Sequence, residues 1–331
     1  MSARIAASSG SPYARVLSVA SAIPSRVVDN EEMCTWIDSS DEWIRQRTGI
    51  EERRWVNEDE SIETLARDAG RTAIERAGVD PSQIGAVIVS TVTYFHQTPS
   101  LAARLAFQLG TRAAAYDISA ACAGFCYGLA QAESLVRSGA APYVLVIGVE
   151  ELSRFTDRHD RSTAFLFADG AGAAVVGPSQ ENGIGPVVWG SDGSQAEAIN
   201  QTVEWSAAVP AGETPYIAMD GRAVFKWATG FITEATKRVL DASGLTPEQL
   251  DVFVPHQANN RITDAMLRHL KLPDHVVVAR TITHYGNNSA ASVPMAMDHL
   301  LSSGQATSGQ TALLIGFGAG LVYAGQVVTL P

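Results

Sequence analysis

A cysteine, a histidine and a pair of asparagines stand in this chain where predicted strands end or helices begin. Cys122 lies between a strand-like run and a helical run, His256 directly follows an apolar strand, and Asn287–Asn288 precedes a run of small residues. At a helix start, unpaired N–H groups and the positive end of the helix favour a thiolate, whereas burial opposes it. A nucleophilic Cys with a His and a neutral amide donor suits thioester chemistry, in which an acyl-enzyme forms and an enolate is stabilised.

Each of these residues, taken alone, also has a structural interpretation. A small buried Cys is usually a packing residue, and this is our prediction for Cys34 and for Cys126, one helical turn after Cys122. A lone His is more often a satisfied structural group, and paired asparagines often form a turn or a helix cap. Three reactive residue types at matched points of the chain favour the functional interpretation.

The matched points come from an internal repeat. Ala77–Ser90 (AGVDPSQIGAVIVS) returns as Ser243–His256 (SGLTPEQLDVFVPH), an offset of 243 − 77 = 166 residues. Both segments are typical of a helix end with Gly, a short helix opened by Pro, and a hydrophobic strand. Leu135–Gly139 similarly returns as Leu300–Gly304, 300 − 135 = 165 residues later. The repeat predicts a pseudo-twofold molecule with a site where equivalent strand ends meet.

The same offset links the reactive residues to one another. Adding 166 to Ser90 gives His256, and adding it to Cys122 gives Asn288. The glycine-rich run GFGAG at Gly316–Gly320 ends another strand and could supply backbone donors for an oxyanion, although its spacing is neither a dinucleotide nor a P-loop pattern.

Composition predicts a compact enzyme. The 331 residues are 46% hydrophobic and 18% charged, and their mean hydropathy is +0.04. No apolar stretch approaches the ~18 residues that span a bilayer, and no apolar run follows Arg4, so we expect neither a membrane partner nor a signal peptide and predict a cytoplasmic protein. The three cysteines have no metal-binding spacing, and an odd number argues against a disulfide framework.

The formal net charge of −11 argues against nucleic-acid binding, which requires positive charge opposite the phosphates. It leaves room for an anionic partner where basic residues cluster. Arg261, Arg268 and Lys271 follow His256 with only Asp264 between them to oppose their charge. A solvated, mixed helix face is an equally good interpretation of these charges alone.

Periodicity predicts alternating strands and helices in both halves. Ile62–Ala77 repeats apolar residues at i, i+3 and i+4, as a helix does. Residues 113–119 are predicted to form a strand, and residues 120–139 a helix whose small residues all round predict packing on every side. Pro178–Gly185 is turn-rich and is our candidate boundary, and residues 191–221 are predicted to be an excursion that carries substrate contacts. This pattern favours a layered α/β/α architecture.

Six segments of the chain resemble the signatures of β-ketoacyl-acyl-carrier-protein synthase III, a family of the thiolase superfamily. They occur in family order along nearly the whole chain: SSDEWIRQRTGI (Ser39–Ile50), DISAACAGF (Asp117–Phe125), FADGAGAAVV (Phe167–Val176), HQANNRI (His256–Ile262), GNNSAAS (Gly286–Ser292) and IGFGAG (Ile315–Gly320). The resemblance implies a duplicated, thiolase-like five-layer α/β/α/β/α fold. It implies an N-terminal half, residues 1–180, that carries the Cys, and a C-terminal half, residues 181–331, that carries the His and Asn.

The resemblance also implies a reaction. An acyl primer would move from acyl-CoA to Cys122 and would then condense, with loss of CO₂, with malonyl-acyl-carrier protein to start fatty-acid or polyketide synthesis. His256 and Asn287 would bind the malonyl thioester oxygen; the family motif selects Asn287 although the repeat pointed to Asn288. The backbone N–H groups of Cys122 and Ala319 would form the oxyanion hole. Ala319 stands where relatives carry Gly, which is tolerable if its φ is negative.

Binding roles follow from the same resemblance. The implied assembly is a homodimer, and no cofactor is implied because the CoA thioester is a substrate. Residues carried over from the family are Trp43, Arg47, Arg161 and Asn259 for CoA, Thr98 for the acyl pocket of the dimer partner, and Lys226, Arg261 and Arg268 for docking of the carrier protein. A threonine at position 98 would leave room for longer or branched acyl groups than a large aromatic residue would.

Two other functions fit parts of the sequence. An acyltransferase could use the same acyl-cysteine and pass the acyl group to an alcohol or amine, and CO₂ release from malonyl-carrier protein would distinguish the two. A non-catalytic subunit could dock carrier protein without reacting, in which case Cys122 would not be acylated. The presence of Cys122, His256 and Asn287 together favours the condensing enzyme.

Overall fold

The computed structural model describes Ile5 and residues 8–331. We expected no signal peptide from a segment that includes Arg4, and part of that segment lies outside the described residues. No helix in the described part of the chain is long and apolar enough to cross a membrane.

The strands and helices alternate along the chain. The first half contains β1 (Tyr13–Ala22), β2 (Arg26–Asp29), α1 (Asn30–Met33), α2 (Asp41–Thr48), β3 (Glu52–Trp55), α3 (Ile62–Ala77), β4 (Ile84–Ser90), α4 (Leu101–Gln108), β5 (Ala114–Ile118), α5 (Gly124–Ser138), β6 (Tyr143–Glu151) and β7 (Asp169–Ser179). The second half contains β8 (Val188–Ser191), β9 (Ile199–Gln201), α6 (Trp205–Ala211), β10 (Ile217–Met219), α7 (Gly221–Trp227), α8 (Thr233–Ser243), β11 (Val252–Pro255), α9 (Asn260–Leu270), β12 (Val277–Val278), α10 (Ile282–Tyr285), α11 (Ser292–Ser302), β13 (Thr311–Gly318) and β14 (Val322–Thr329).

Local sequence signals account for the helix ends. The predicted helix Ile62–Ala77 is confirmed as α3, which begins after a capping box between Ser61 and Thr64 and ends at Gly78, whose φ is 64°. The Ser61 hydroxyl accepts from a free N–H of the first turn, and Gly adopts the left-handed cap without steric cost. The repeated segment behaves alike, because α8 ends at Gly244 with φ 68°.

Five layers build the molecule. The first sheet has the strand order β1-β7-β6-β4-β5, and the second has the order β12-β11-β13-β14-β8. Helices α3 and α4 cover the outer face of the first sheet, and α8 and α9 cover that of the second. Helices α5 and α11 lie between the sheets, where they share one buried apolar cluster with both. The predicted five-layer fold is confirmed. The predicted packing of α5 on every side holds for its first part, where most residues from Gly124 to Ala132 are buried, but Ser134, Arg137 and Ser138 near its end are exposed.

The repeat holds in the structure, but its offset is not constant. The turns before α5 and α11 correspond at 289 − 121 = 168 residues, because Ala121 has φ 44° and Ser289 has φ 45°. Cys122 therefore corresponds to Ala290, and its match with Asn288 at an offset of 166 was wrong. Between the repeated strand, β4 or β11, and the central helix, the offset grows from 166 to 168, so the second half has a net gain of 168 − 166 = 2 residues over that whole stretch.

Two antiparallel strand pairs lie outside the two main sheets. Strands β9 and β10 form an antiparallel pair inside residues 191–221, and β2 and β3 form another. The first pair lines the main cavity, in the stretch where the sequence predicts substrate contacts. The chain leaves the first sheet at Ser179 and enters the second at Val188; a boundary between halves at residue 180 remains our proposal.

Candidate active site

Cys122 occupies a tight turn between β5 and α5. It is the middle residue of the single helical turn Ala121–Ala123, and it lines the main cavity of the molecule. Ala121 before it is held at φ 44°, a conformation that costs a non-glycine residue energy and is concentrated at functional sites. The turn presents the thiol to the cavity while the chain continues into the buried helix α5.

Burial governs the acidity of this thiol. It raises the pKa of Cys122 to about 12, because a thiolate there would lose its solvent. The neighbouring Ser289 hydroxyl and the residue's own backbone N–H oppose the rise, and the charge of Glu150 adds to it. The sequence left the direction of this shift open. Cys122 is therefore a thiol at rest, and its proton has to leave when the sulfur reacts.

His256 lies at the end of β11 and is almost completely buried. Its backbone N–H donates to Ile315 at 2.7 Å, and its Nδ1 lies 2.7 Å from the Ser292 hydroxyl at the start of α11. Burial lowers the pKa of His256 to about 3, so the imidazole is neutral near pH 7. With the Ser292 hydroxyl donating to Nδ1, the ring proton lies on Nε2 and is available to the cavity that His256 lines.

The two neighbouring asparagines have different surroundings. Asn287 lines the cavity, and its Oδ1 accepts from the backbone N–H of Ser289 at 2.9 Å, which leaves its NH₂ group as the donor. The NH₂ group of Asn288 is already used, because it donates to the carbonyls of Asp169 and Tyr285 at 2.7 and 3.1 Å. The geometry therefore favours Asn287, as the family motif did, over the residue that the constant offset selected.

The end of β13 lies directly against the nucleophile. A Cβ atom added to Gly318 would lie 2.8 Å from Cys122 Sγ and 3.0 Å from its backbone N, so only glycine allows this approach. Ala319 follows and lines the cavity with Cys122. Among the described non-glycine residues, only Ala121, Lys271 and Ser289 have a positive φ. The φ of Ala319 is therefore negative, so an alanine is tolerated at this position.

The cavity that joins these residues has a volume of about 920 Å³. Its walls are mainly apolar, with polar groups at the floor and at the mouth. Its apolar lining includes Leu152, Phe155, Phe165, Leu166, Ile199, Met219, Phe225, Ile262 and Phe317. A polar floor below apolar walls suits a long flexible substrate that reacts at its end.

An aromatic side chain with two cations marks the mouth. The guanidinium carbons of Arg47 and Arg161 lie 5.5 and 5.4 Å from the ring centre of Trp43, which packs edge-on against Phe165. Asn259 also lines the cavity, but its side chain caps α9 and donates to the Arg47 carbonyl at 3.1 Å. Asn259 therefore holds the backbone of Arg47 in place, and the contact with CoA that the family resemblance implies for it stays a prediction.

Three exposed basic side chains lie on the helices α7 and α9, and one of them, Arg261, lines the cavity. Lys226, Arg261 and Arg268 are exposed on α7 and α9, and Arg261 stacks on Phe225 at 5.6 Å. Asp264, the acidic residue between the two arginines of α9, instead pairs with Arg280 at 2.7 Å. The ion pairs of the described residues thus leave this basic group unopposed.

Thr98 stands apart from the other predicted residues. It is exposed in the loop before α4 and is not among the residues that line the cavity of its own chain. A role in the acyl pocket would therefore require this loop to reach a second copy of the chain.

Sequence reasoning missed four polar residues of the site. Ser292 orients His256, Arg222 lines the mouth, and Ser289 connects Cys122 to the buried carboxyl of Glu150. Glu150 carried a signal, because an acidic residue directly after the apolar strand VLVIGV is unusual in a buried position. Across residues 8–331, no group of three or more His, Cys, Asp or Glu side chains could hold a metal ion.

Comparison with known proteins gives consistent matches. Residues 116–193 match the family described as 3-oxoacyl-[acyl-carrier-protein (ACP)] synthase III, and residues 240–330 match its C-terminal part. A β-ketoacyl-[acyl-carrier-protein] synthase III of Streptomyces coelicolor is 55% identical, with 99% of each chain covered. A mycobacterial β-ketoacyl-[acyl-carrier-protein] synthase III of Mycolicibacterium paratuberculosis is 50% identical, again over 99% of each chain.

A solved structure is also similar to this chain. The priming β-ketosynthase from the R1128 polyketide biosynthetic pathway superimposes with a TM-score of 0.96 at 47% identity, covering 100% of this chain and 99% of that one.

Proposed function

The chain belongs to the 3-oxoacyl-[acyl-carrier-protein] synthase III family, and we propose that Cys122, His256 and Asn287 carry out its reaction in two half-reactions. It is an acyltransferase of the condensing type. The main support for this assignment is that all three residues line the same cavity. The ring of Trp43, which lines that cavity, has two arginine guanidinium groups close to it.

The first half-reaction is acylation of Cys122. The sulfur attacks the carbonyl of acyl-CoA, a new C–S bond forms, and the C–S bond to CoA breaks. The tetrahedral oxyanion lies against the backbone N–H groups of Cys122 and Ala319, where fixed donors stabilise developing charge. Gly318 supports this role, because its missing side chain lets the end of β13 approach the sulfur.

The second half-reaction is decarboxylative condensation. His256 Nε2–H and the Asn287 amide donate to the thioester oxygen of the malonyl group, so that negative charge can move there as CO₂ leaves. The carbanion then attacks the acyl carbon on Cys122 and expels the thiolate. A neutral imidazole suits this task, since burial holds the pKa of His256 at about 3 and the ring acts as a donor rather than as a base.

The proposed substrates bind at the mouth. Trp43 stacks with the adenine of CoA while Arg47 and Arg161 hold its phosphates, because planar guanidinium groups bind phosphate with two hydrogen bonds. Lys226, Arg261 and Arg268 attract the acidic carrier protein, although the whole chain has a net charge of −11. This attraction is local and weakens with salt.

Primer choice depends on a second copy of the chain in this proposal. A homodimer would bring Thr98 of one protomer to the acyl end of the other's cavity. Its small side chain would accept longer or branched primers. No cofactor takes part, since the energy for carbon–carbon bond formation comes from thioester cleavage and loss of CO₂.

The test is intact-mass measurement after incubation with straight and branched acyl-CoAs. We expect one acyl group to add to the wild-type chain and to Cys126→Ala, but not to Cys122→Ala. Cys126 is the matched control because it lies one turn away, fully buried, and does not line the cavity. Adding malonyl-carrier protein should then release CO₂ and return the chain to its original mass.

Three outcomes would overturn parts of the proposal. An adduct that persists in Cys122→Ala would move the nucleophile elsewhere. No adduct from any acyl-CoA would exclude CoA priming, and acyl-carrier proteins would then be tested as donors. Loss of the acyl group without CO₂ release would indicate transfer to another acceptor.

A further inference from the structure

A buried carboxyl group lies behind the nucleophile and has no part in the steps above. The turn that holds Ser289 packs against the turn that holds Cys122, and the Ser289 hydroxyl lowers the pKa of the Cys122 thiol. The same hydroxyl donates to Glu150 Oε1 at 3.0 Å, so it lies between the thiol and the carboxyl group. Ser289 is held at φ 45°, and this strained turn is what places its hydroxyl between the other two groups.

Glu150 is completely buried near the end of β6. Its Oε2 accepts from Thr93 Oγ1 at 2.7 Å, from the Val92 backbone N–H at 3.1 Å and from Thr91 Oγ1 at 3.2 Å. Despite these donors, burial raises the pKa of Glu150 to about 7. A carboxyl group with such a pKa can both take up and release a proton at neutral pH.

Other titratable groups near Glu150 are engaged with partners of their own. Asp169, on the adjacent strand β7, is bound by Ser153 and by the Val56 backbone N–H. Glu151, the next residue, pairs with Arg154. His256 is held by Ser292. Of these titratable groups, Cys122 is the one whose thiol has the Ser289 hydroxyl, a donor to Glu150, as its neighbour.

We propose that Glu150 takes up, by way of the Ser289 hydroxyl, the proton that Cys122 loses on acylation, and returns it when the thiolate is released by condensation. The inference rests on the proposed function of Cys122. Glu150 acts through another residue and is therefore a positioning and proton-holding group rather than one that touches substrate.

The protons balance over the two half-reactions. In the first, the thiol proton passes to Ser289 as the hydroxyl proton passes to the Glu150 carboxylate, and CoA leaves as a thiolate that takes a proton from water. In the second, loss of CO₂ and attack by the carbanion expel the Cys122 thiolate. The proton stored on Glu150 then returns through Ser289 and restores the resting thiol. One proton from water is consumed in each cycle, as decarboxylation of malonate requires.

The experiment measures single-turnover acylation of the full chain by quenched intact mass between about pH 5.5 and about pH 9, a range that brackets the pKa of the acceptor. The wild-type rate should rise through about pH 7 as Glu150 loses its proton. Glu150→Gln and Ser289→Ala should lose this rise and fall about a hundredfold at pH 8, the lower end of a general base contribution. Glu150→Asp should restore the rise at a lower rate. Glu151→Gln is the matched control and should keep the wild-type profile.

A merely structural role predicts a different result. If Glu150→Gln slowed acylation equally at every pH, or left it unchanged, the proposal would be wrong. If Glu150→Gln fails to fold, Ser289→Ala tests the proposal in its place, because this variant leaves the other donors to Glu150 intact. A wild-type pH profile in Ser289→Ala would also refute the relay. Absence of any wild-type adduct would instead refute the proposed function itself.

Discussion

Replacing Ser292 with Ala should slow condensation while leaving the acylation of Cys122 unchanged. The Ser292 hydroxyl lies 2.7 Å from His256 Nδ1, in a site where burial keeps the imidazole neutral. While the hydroxyl donates to Nδ1, the ring proton remains on Nε2, from which it reaches the malonyl oxygen. Without the hydroxyl, the proton can occupy either nitrogen and the ring is no longer held in place.

The size of the effect follows from the cost of an unsatisfied buried group. Leaving one buried hydrogen-bonding partner without its mate costs about 1–3 kcal/mol, and each ~1.4 kcal/mol is a factor of ten in rate. We therefore expect the condensation rate to fall about 5- to 150-fold. The acylation step does not use His256 in the proposed mechanism, so its rate should stay within about twofold of wild type, a difference of less than ~0.5 kcal/mol.

The two half-reactions can be measured separately. Acylation is followed by intact mass, and condensation by CO₂ release from enzyme that has already been acylated. Ser302→Ala is the control, because Ser302 lies on the same helix but is exposed and bonds only to the His299 carbonyl. Equal slowing of both half-reactions, or no slowing of condensation, would refute the reasoning about the tautomer.

Three further predictions follow from the site. Gly318→Ala should slow acylation at least about tenfold, because its Cβ would lie 2.8 Å from Cys122 Sγ and overpacking costs about 1–3 kcal/mol. The control is Gly193→Ala, whose Cβ would meet nothing within 4 Å and which should acylate at the wild-type rate. Equal acylation rates in the two variants would contradict the prediction. Trp43→Ala should raise the KM for acyl-CoA about 5- to 150-fold with little change in kcat, since stacking of a base on an aromatic ring contributes about 1–3 kcal/mol; an unchanged KM would remove Trp43 from the CoA site. His256 has its pKa lowered to about 3 in the folded chain, so its contribution to stability is complete above about pH 6.5 and is lost as pH falls toward 3. Urea unfolding should therefore show His256→Gln gaining about 1–2 kcal/mol relative to wild type between pH 7 and pH 5, and parallel losses in the two proteins would contradict this.

Much of the fold could be predicted because its signals are local. The caps and apolar face of α3 lie within Ser61–Gly78, and the small residues of α5 indicate the burial that its first part shows. The repeat predicted two equivalent halves, and strand ends are where side chains from separate segments meet. The constant offset misplaced the partner of Cys122, because a net gain of two residues between the repeated strand and the central helix leaves no trace in the repeated segments themselves.

The electrostatics of the site could not be predicted in the same way. A helix start lowers the pKa of a thiol and burial raises it, and only the packing around Cys122 decides that burial prevails. The contact of Ser289 with Glu150 joins residues 139 positions apart, so no spacing rule finds it. Thr98 is a harder case still, because its predicted role depends on a second chain.

The position of α5 and α11 between the two sheets ties catalysis to the integrity of the whole molecule. Cys122 lies in the turn that starts one of these helices, and Ser292 begins the other. Both helices share their apolar cluster with strands of each half, and elements of this kind open only with the global transition, whereas exposed loops open locally. We therefore expect the amides of α5 and α11 to be among the slowest to exchange with solvent. Because the site draws residues from both helices, neither half can form it without the other. We therefore expect enzymatic activity and folded structure to be lost at the same denaturant concentration.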